Sequence, residues 1–564
     1  MDLTSNLPQV LDYIQHPLTI STSLVLFSVV SILLYYRNKH AYWQKKGING
    51  PKPMPLFGNM LPIIFKDRMK FETDLLARYG KVYAFYRGSV PHLVVSDAEI
   101  IRQISVKDFD FFPNHELNKF FNEYQRNFLF SLQDERWKYV RSLLSCTFTS
   151  GKIKRMYKLL DTCASDLVAA FEDERIINME TGSKVDVKKL YNLYTMDAIA
   201  TCCYGLKLIR ESGTTSVKSA ASRNEFIRVT QKVFDLAWTR FIIATIFPDF
   251  LLERLGFQVT SPSNFDGLAK MGEQILTSRR AQVDKKRFDD YMQLLLEASS
   301  EDRLDLNDID LHENHHAGLT NEMLIEDREK LAKQSAEMFR SNNKSTLTDA
   351  EILSSAMFLL AVGLETTATL LTNCTYALAF HPEIQEKLYK KIVELADYDE
   401  DKTSFTFEYE SLTSSKYLDA VIAETLRRLS PIILIDRESS KDYFLEKYNL
   451  HLPKGSKLLL GLYAAMNDPD YWDEPETFNP DRFMPGNKEK IVPGSYCPFG
   501  LGPRHCLGMR FSLTEAKIAL AKMVMQYRFE VAPNTSFPPT AKGSFGFNKI
   551  DTPFVRITRR FTHH

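Results

Sequence analysis

One cysteine of this chain lies in a segment whose backbone favours an ionised sulfur. Residues 498–508 read Pro-Phe-Gly-Leu-Gly-Pro-Arg-His-Cys-Leu-Gly, and the glycines and proline at 500–503 predict a tight turn that is not helical. A helix is predicted from about Leu507, so Cys506 would face unpaired backbone N–H groups and the positive end of the helix dipole. Both stabilise a thiolate, the form that binds metal, and Arg504 adds a cation within reach of a ligand carboxylate. The alternative is a structural cysteine buried in a glycine-rich turn.

An acid and a hydroxyl interrupt a long apolar stretch. Thr348 and Glu351 form a T-x-x-E capping box that predicts the start of a helix, and an apolar run continues through Leu371. Glu365 and Thr366 lie inside this run, where polar side chains are costly unless they have a function. The alternative is a helix kink whose polar groups are capped.

Two further spacings place side chains on one face of a helix. Glu424 and Arg427 are three residues apart and can form an ion pair, and Trp137 and Arg141 are four residues apart and point the same way. Taken singly, each pair is at least as well explained as an ordinary surface contact of small energetic value.

Taken together, these segments resemble the cytochromes P-450. The motifs in this chain are W-x-x-x-R at 137–141, Val-Gly-Leu-Glu-Thr-Thr at 362–367 (A-G-x-E/D-T-T/S in the family), E-x-x-R at 424–427, P-x-R-F at 480–483 and F-x-x-G-x-R-x-C-x-G at 499–508. They occur in the family's order, and the resemblance extends from Trp43 to the end of the chain. Helical periodicity in most segments and short β-branched or aromatic runs at 82–86 and 92–95 predict a mainly α class with a minor β region, and the resemblance implies the cytochrome P-450 fold.

Within the family, the chain looks most similar to the group containing the 3A drug-metabolising enzymes and thromboxane synthase. The segments that indicate this group are Arg-Ser-Leu-Leu-Ser at 141–145, Thr-Phe-Thr-Ser-Gly-Lys at 147–152, Tyr-Leu-Asp at 417–419 and Tyr-Trp at 471–472.

The resemblance implies a heme b cofactor. Cys506 would be the axial thiolate ligand of the iron, donating electron density that favours O–O cleavage, and Phe499 would pack near the sulfur. The implied partners of the heme propionates are Trp137, Arg141, Arg437 and Arg504. Glu424, Arg427 and Arg482 would form a structural network that anchors the loop beneath the heme.

The resemblance also assigns the oxygen side of the heme. Thr366 would hydrogen-bond to the oxygen being activated, and Glu365 would relay protons towards it. The implied substrate pocket is apolar and contains Val362, Ile432, Ile433, Leu434 and the segment near Phe545.

The sequence departs from the family pattern in three places. Val362 stands where the family has Ala or Gly, so its bulk would crowd the oxygen side. His115 stands near the position where the most similar group carries an arginine to a propionate, which would weaken one heme contact. Residues 303–343 form a polar, charge-dense insertion longer than the family has there.

The amino terminus predicts a membrane anchor. Residues 13–36 contain no Asp, Glu, Lys or Arg, and 18–36 are long enough to span a bilayer of about 30 Å. Basic residues follow the span and acidic ones precede it, so the positive-inside rule predicts a lumenal tail at 1–17 and a cytosolic body. A basic, proline-rich hinge at 37–58 would lead into one catalytic domain at 59–564. The alternative is a helix that is buried or lies on the membrane surface.

Composition narrows the class of protein. The formal net charge is zero and charged residues are 25%, so nothing indicates binding to nucleic acid. The chain has seven cysteines, an odd number, and no C-x-x-C motif. This pattern favours a reducing compartment with free thiols. With the anchor and the resemblance, this predicts a single-pass protein of the endoplasmic reticulum membrane, in contact with lipid.

The predicted function is a monooxygenase that inserts one atom of O2 into lipophilic substrates: xenobiotics, sterols or fatty acids. Electrons would come from NADPH through the membrane-bound NADPH–cytochrome reductase, with cytochrome b5 as a further partner. Candidates for a basic docking patch are Arg136, Lys138, Lys152, Lys154 and Arg155, although a solvated face explains them equally well. The alternatives are a peroxide isomerase of thromboxane-synthase type, a non-catalytic heme or lipid-binding protein, and, last, a membrane-anchored scaffold without heme.

Overall fold

The computed structural model describes most of the chain. The described residues are 17–116, 120–145, 147–178, 184–206, 229–230, 240, 243–244, 247, 249–261, 263–281, 290–299, 347–399, 405–543, 548–550 and 554–560. The predicted insertion at 303–343, Cys146, Phe545 and residues 1–16 of the predicted tail lie outside them.

Helices make up most of the described structure, which confirms the predicted mainly α class. They are α1 Pro17–His40, α2 Tyr42–Lys45, α3 Leu61–Phe65, α4 Arg68–Tyr79, α5 Ala98–Arg102, α6 Glu123–Arg126, α7 Asp134–Ser145, α8 Ser150–Ile177, α9 Val187–Tyr204, α10 Asp249–Arg254, α11 Ser263–Arg280, α12 Tyr291–Ser299, α13 Asp349–Phe380, α14 Pro382–Val393, α15 Tyr409–Thr413, α16 Lys416–Arg428, α17 Leu462–Met466 and α18 Met509–Gln526.

The strands are short and form small sheets. They are β1 Val82–Arg87, β2 Val90–Val95, β3 Lys184–Asp186, β4 Ala396–Tyr398, β5 Phe405–Phe407, β6 Ile435–Glu438, β7 Tyr443–Leu445, β8 Leu450–Leu452, β9 Lys457–Leu460, β10 Tyr527–Val531, β11 Ala541–Gly543, β12 Asn548–Ile550 and β13 Phe554–Arg559. The largest sheet has the order β1-β2-β9-β6, with β2 and β9 parallel and the other pairs antiparallel. β1 and β2 confirm the strands predicted near the amino end.

Helix α13 lies at the centre of the fold. It begins at the predicted capping box, where the Glu351 N–H donates to Thr348 Oγ1 at 3.3 Å and the Thr348 N–H donates to Glu351 Oε2 at 2.9 Å. It packs in the main hydrophobic cluster with α8, α9, α16 and α18. Its length and composition alone would allow it to cross a membrane, but 65% of its most apolar stretch is buried inside the protein. We therefore describe α13 as a core helix.

Helix α1 packs against the sheet that contains β1 and β2 at its carboxyl end. It continues to His40, four residues beyond the predicted transmembrane segment at 18–36. The His40 ring lies 2.9 Å from the Gly88 carbonyl, and the Trp43 N–H donates to the hydroxyl of Tyr86 at 3.1 Å. Earlier in α1, the large apolar side chains between residues 24 and 35 leave 44–72% of their surface exposed.

Candidate functional site

The cysteine segment forms a closed loop directly before a helix, as predicted. Gly500 and Gly502 have φ values of +74° and +71°, a conformation that L side chains rarely adopt. A Cβ on Gly502 would also collide with the Ser105 carbonyl oxygen. The Cys506 N–H donates to the Phe499 carbonyl at 2.8 Å and closes the loop. Helix α18 begins three residues after Cys506, at Met509.

The Cys506 side chain is accessible, although protein surrounds it closely enough to desolvate the thiol. A side chain that is both enclosed and accessible faces a cleft inside the protein. Burial raises the pKa of the Cys506 thiol, while Arg141 and the Gly508 N–H oppose that rise. The interactions predicted to stabilise the thiolate are therefore present, but the effect of burial on the pKa is larger. A bound metal cation would offset the cost of burying the thiolate charge.

Three guanidinium groups lie close together at the same cleft: Arg437 is fully buried, and Arg141 and Arg504 are partly buried. Burial lowers the pKa of Arg141 and of Arg437 to about 10, and burial with repulsion from both lowers the pKa of Arg504 to about 8. Arg141 also interacts with the Cys506 sulfur, and Arg437 with the carboxylate of Asp436. Cations that repel one another in a buried cluster indicate a site for an anion.

The donor set fits heme b. Among the described residues, Nε and Nη2 of Arg437 are buried and have no hydrogen-bond acceptor. A heme carboxylate would supply that acceptor. The thiol of Cys506 supplies one soft sulfur ligand, which suits an axial position on iron.

Arg504 is held firmly by the protein. Its Nε donates to the Pro113 carbonyl at 2.7 Å and its Nη2 to the Leu132 carbonyl at 2.8 Å. Its guanidinium carbon lies 4.0 Å from the centroid of Trp137, a buried residue of α7. Arg504 thus ties the cysteine loop to the segments around Pro113 and Leu132, and its role towards a propionate stays a prediction.

One face of α13 carries accessible side chains in the middle of a buried helix. Val362 is 39% exposed, and Thr366, one turn later, donates its hydroxyl proton to the Val362 carbonyl at 2.8 Å. A Cβ on Gly363 would lie 2.8 Å from Ile199 Cδ1, so glycine allows α9 to pack closely. The Thr367 and Ser512 hydroxyls are 2.9 Å apart, which joins this part of α13 to the helix that follows Cys506.

Lys188 of α9 is a site residue that sequence reasoning missed. Its Nζ lies 3.0 Å from Glu365 Oε1 and donates to Thr369 Oγ1 at 2.6 Å. The Glu365 side chain is 37% exposed and that of Lys188 11%. The sequence offers one signal, a lysine in a largely apolar helix, but the pairing depends on how α9 crosses α13.

The predicted structural network is present. Nε and Nη2 of Arg427 each donate to the Glu424 carboxylate at 2.8 Å, and both side chains are fully buried. The Asn479 N–H donates to Glu424 Oε1 at 2.9 Å, and Arg482 Nε lies 3.7 Å from the same oxygen. The network joins α16 to the segment that leads to the cysteine loop.

The remaining predicted residues fall into different environments. Ile432 is partly buried, whereas Ile433 is fully buried and packs in a core cluster with Phe85 and Tyr463. Phe499 is partly buried against the main cluster. His115 lies beside Arg437, with its Nδ1 3.3 Å from Arg437 Nη1.

The predicted basic patch is partly neutralised. Arg136 pairs with Glu351, Lys138 with Glu135 at 2.9 Å, and Lys154 with Glu410. Arg155 and Lys154 are exposed on α8, and Lys152 is partly exposed at its first turn. A docking role for these residues stays a prediction.

Comparison with known proteins adds an independent observation. A family model described as Cytochrome P450 matches residues 48–555. The chain is 30% identical over 527 residues to Cytochrome P450 3A5 of Homo sapiens, covering 92% of this chain and 93% of that protein. It is 31% identical over 531 residues to Cytochrome P450 3A1 of Rattus norvegicus, covering 91% and 92%. These matches agree with the predicted resemblance.

Proposed function

Since the chain belongs to the cytochrome P450 family and is a heme-thiolate monooxygenase, we propose that it inserts one atom of O2 into lipophilic substrates with electrons from NADPH. One observation carries the proposal: the Cys506 thiol and three buried or partly buried arginines converge on one cleft. The accessible face of α13, with Val362 and Thr366, supplies the oxygen side.

Each residue of the cleft has one task in this proposal. Cys506 binds the iron, Phe499 packs near the sulfur, and the propionates are bound by Trp137, Arg141, Arg437 and Arg504. Heme, when bound, supplies the activation of O2 and the cleavage of the O–O bond. Arg437 contributes most directly, because its Nε and Nη2 are buried without an acceptor among the described residues.

Proton delivery is assigned to Glu365 and Thr366. The Glu365 carboxylate is accessible enough to take up a proton from water, and Lys188 fixes its position at 3.0 Å. The Thr366 hydroxyl donates to the Val362 carbonyl, so its oxygen can accept a second hydrogen bond on the cleft side. A proton passed from Glu365 to a group hydrogen-bonded to Thr366 Oγ1 would be released where the oxygen is activated.

The substrate side is apolar. Val362 and Ile432 present aliphatic surface, which suits xenobiotics, sterols or fatty acids. The bulk of Val362 on the oxygen side would restrict how closely a substrate carbon approaches.

The amino-terminal helix supports membrane attachment. The exposed apolar side chains of α1 between residues 24 and 35 would be covered by lipid. We propose a single-pass protein of the endoplasmic reticulum membrane with a cytosolic catalytic domain. The NADPH–cytochrome reductase and cytochrome b5 would be its electron donors.

The test uses the full-length protein in lipid nanodiscs. The dithionite-reduced protein should give a strongly red-shifted Soret band with CO. With reductase, NADPH and ¹⁸O2, a lipophilic substrate should gain one ¹⁸O atom. Rearrangement of a hydroperoxide without NADPH would indicate the isomerase instead. CO binding without turnover of any substrate class would indicate a non-catalytic heme protein.

Replacing Lys188 by methionine should lower the fraction of NADPH consumption that yields product by about tenfold. The reason is that Glu365 loses the cation that positions its carboxylate, and a positioned acid is worth about 10²–10⁴ in rate. Coupling is measured as product formed per NADPH consumed. Lys188→Arg, which keeps the charge, should retain most of the coupling, and equal losses in both variants would contradict this role.

A further inference from the structure

Residues 113–116 connect the elements that carry the three arginines. The Pro113 carbonyl accepts from Arg504 of the cysteine loop at 2.7 Å. The Asn114 side-chain oxygen accepts from the N–H of Asp134, the first residue of α7, at 2.9 Å. The Asn114 carbonyl accepts from the Glu438 N–H at the end of β6 at 2.9 Å. A single short segment therefore sets where these elements meet.

His115 points into this meeting place. Its Nδ1 lies 3.4 Å from Asp436 Oδ1 and its Nε2 lies 3.4 Å from Arg437 Nη1. The ring stacks on Phe130 with a centroid separation of 4.1 Å, and 9% of the residue is exposed. Arg437 Nη1 also lies 3.3 Å from Nδ1, so it faces both ring nitrogens, and it donates to the Asp436 carbonyl at 2.8 Å. With the proton on Nδ1, Nδ1–H donates to Asp436 and Nε2 is left as the acceptor for Arg437.

We propose that His115 is a positioning residue that holds Arg437 through Nη1, so that Nε and Nη2 of Arg437 remain directed at a carboxylate of the heme. The inference rests on the proposed heme site. It assigns to the imidazole an action on Arg437, without contact between the imidazole and the cofactor.

The chemistry of the site favours an imidazole at this position. Burial lowers the pKa of His115 to about 4, with Arg437 and Arg504 acting in the same direction and Asp436 opposing. The ring is therefore neutral near pH 7 and can accept a hydrogen bond from a guanidinium. An arginine here would add a fourth cation to a cluster whose members already repel one another.

The test is the rate of heme transfer from the full-length holoprotein to excess apomyoglobin. His115→Leu should accelerate transfer about tenfold, the effect of losing a hydrogen bond to a charged group. His115→Gln, whose side-chain oxygen can still accept, should stay near the wild-type rate. Arg437→Leu should accelerate transfer at least as much as His115→Leu.

The double variant His115→Leu/Arg437→Leu separates action through Arg437 from a general packing effect. We expect it to lose heme no faster than Arg437→Leu alone. If the acceleration in the double variant equals the product of the accelerations in the two single variants, the proposal is overturned. An unchanged transfer rate in His115→Leu would also overturn it. If His115→Leu does not fold, His115→Asn, which is too short to reach Arg437, should lose heme faster than His115→Gln, and equal rates would overturn the proposal.

His381→Leu is the matched control. The His381 ring also lies against a phenylalanine, 4.9 Å from the centroid of Phe478, but its Nδ1 lies 2.8 Å from the Ala377 carbonyl, and none of its hydrogen bonds or ring contacts in the described structure involves the three arginines or residues 113–116. The heme transfer rate of this control should equal that of the wild type. An acceleration equal to that of His115→Leu would show that the loss of any such ring is sufficient, and it would overturn the proposal. Absence of the red-shifted CO band in the wild type would instead refute the proposed thiolate site.

Discussion

Replacement of Cys506 by alanine should abolish the red-shifted Soret band of the reduced CO complex and all NADPH-dependent oxygenation. Alanine removes the only atom of the residue that can bind iron, and the thiolate is the ligand that favours O–O cleavage. The fold should persist, because the accessible Cys506 side chain contributes little to the core. The measurement is the CO difference spectrum beside circular dichroism of the same sample.

Cys497→Ala is the matched control, nine residues earlier in the same region. Cys497 is 2% exposed and packs in a hydrophobic cluster, and burial raises the pKa of its thiol to about 12. An inert thiol of this kind should be replaceable without loss of the CO band. An unchanged spectrum in Cys506→Ala would refute thiolate ligation by Cys506.

Replacement of Glu424 by glutamine should destabilise the folded protein by about 3–5 kcal/mol, because it leaves the charge of Arg427 buried without its partner. The side-chain amide would also direct N–H groups at a guanidinium that now donates two bonds of 2.8 Å. Most proteins are stable by only about 5–15 kcal/mol, so we expect a large fall in folded yield. The measurement is the free energy of unfolding in urea.

The Lys391–Glu394 pair provides a control with the same spacing. Its two side chains are 51% and 59% exposed, and Nζ lies 2.9 Å from the carboxylate. Glu394→Gln should cost less than about 1 kcal/mol, the usual value of an exposed ion pair. Equal losses of unfolding free energy in Glu424→Gln and Glu394→Gln would show that burial of the Glu424–Arg427 pair does not add to its contribution to stability.

Local signals in the sequence were sufficient for the elements that carry the site. The capping box at Thr348 marks the first turn of α13, and the glycines before Cys506 mark the non-helical loop. In both cases the physical cause lies within a few residues of the chain. The Glu424–Arg427 pair belongs to the same class, since both residues lie on one helix.

Contacts between distant parts of the chain could not be predicted in this way. Lys188 meets Glu365 because α9 crosses α13, and His115 meets Arg437 because residues 113–116 pair with β6. Arg504 was assigned to a carboxylate from its motif, but its bonds to backbone carbonyls depend on a segment almost four hundred residues away. The pKa of the Cys506 thiol depends likewise on how much protein surrounds the sulfur.

The bonds of Arg504 have a consequence for how the site opens. A guanidinium held by carbonyls at Pro113 and Leu132 and stacked on Trp137 couples the cysteine loop to both segments. The loop cannot fluctuate outward without releasing them, so all three should behave as one cooperative unit in amide hydrogen exchange. Release of a bound cofactor would then require the whole unit to open together, and the opening rate of the unit would set the lifetime of the bound cofactor.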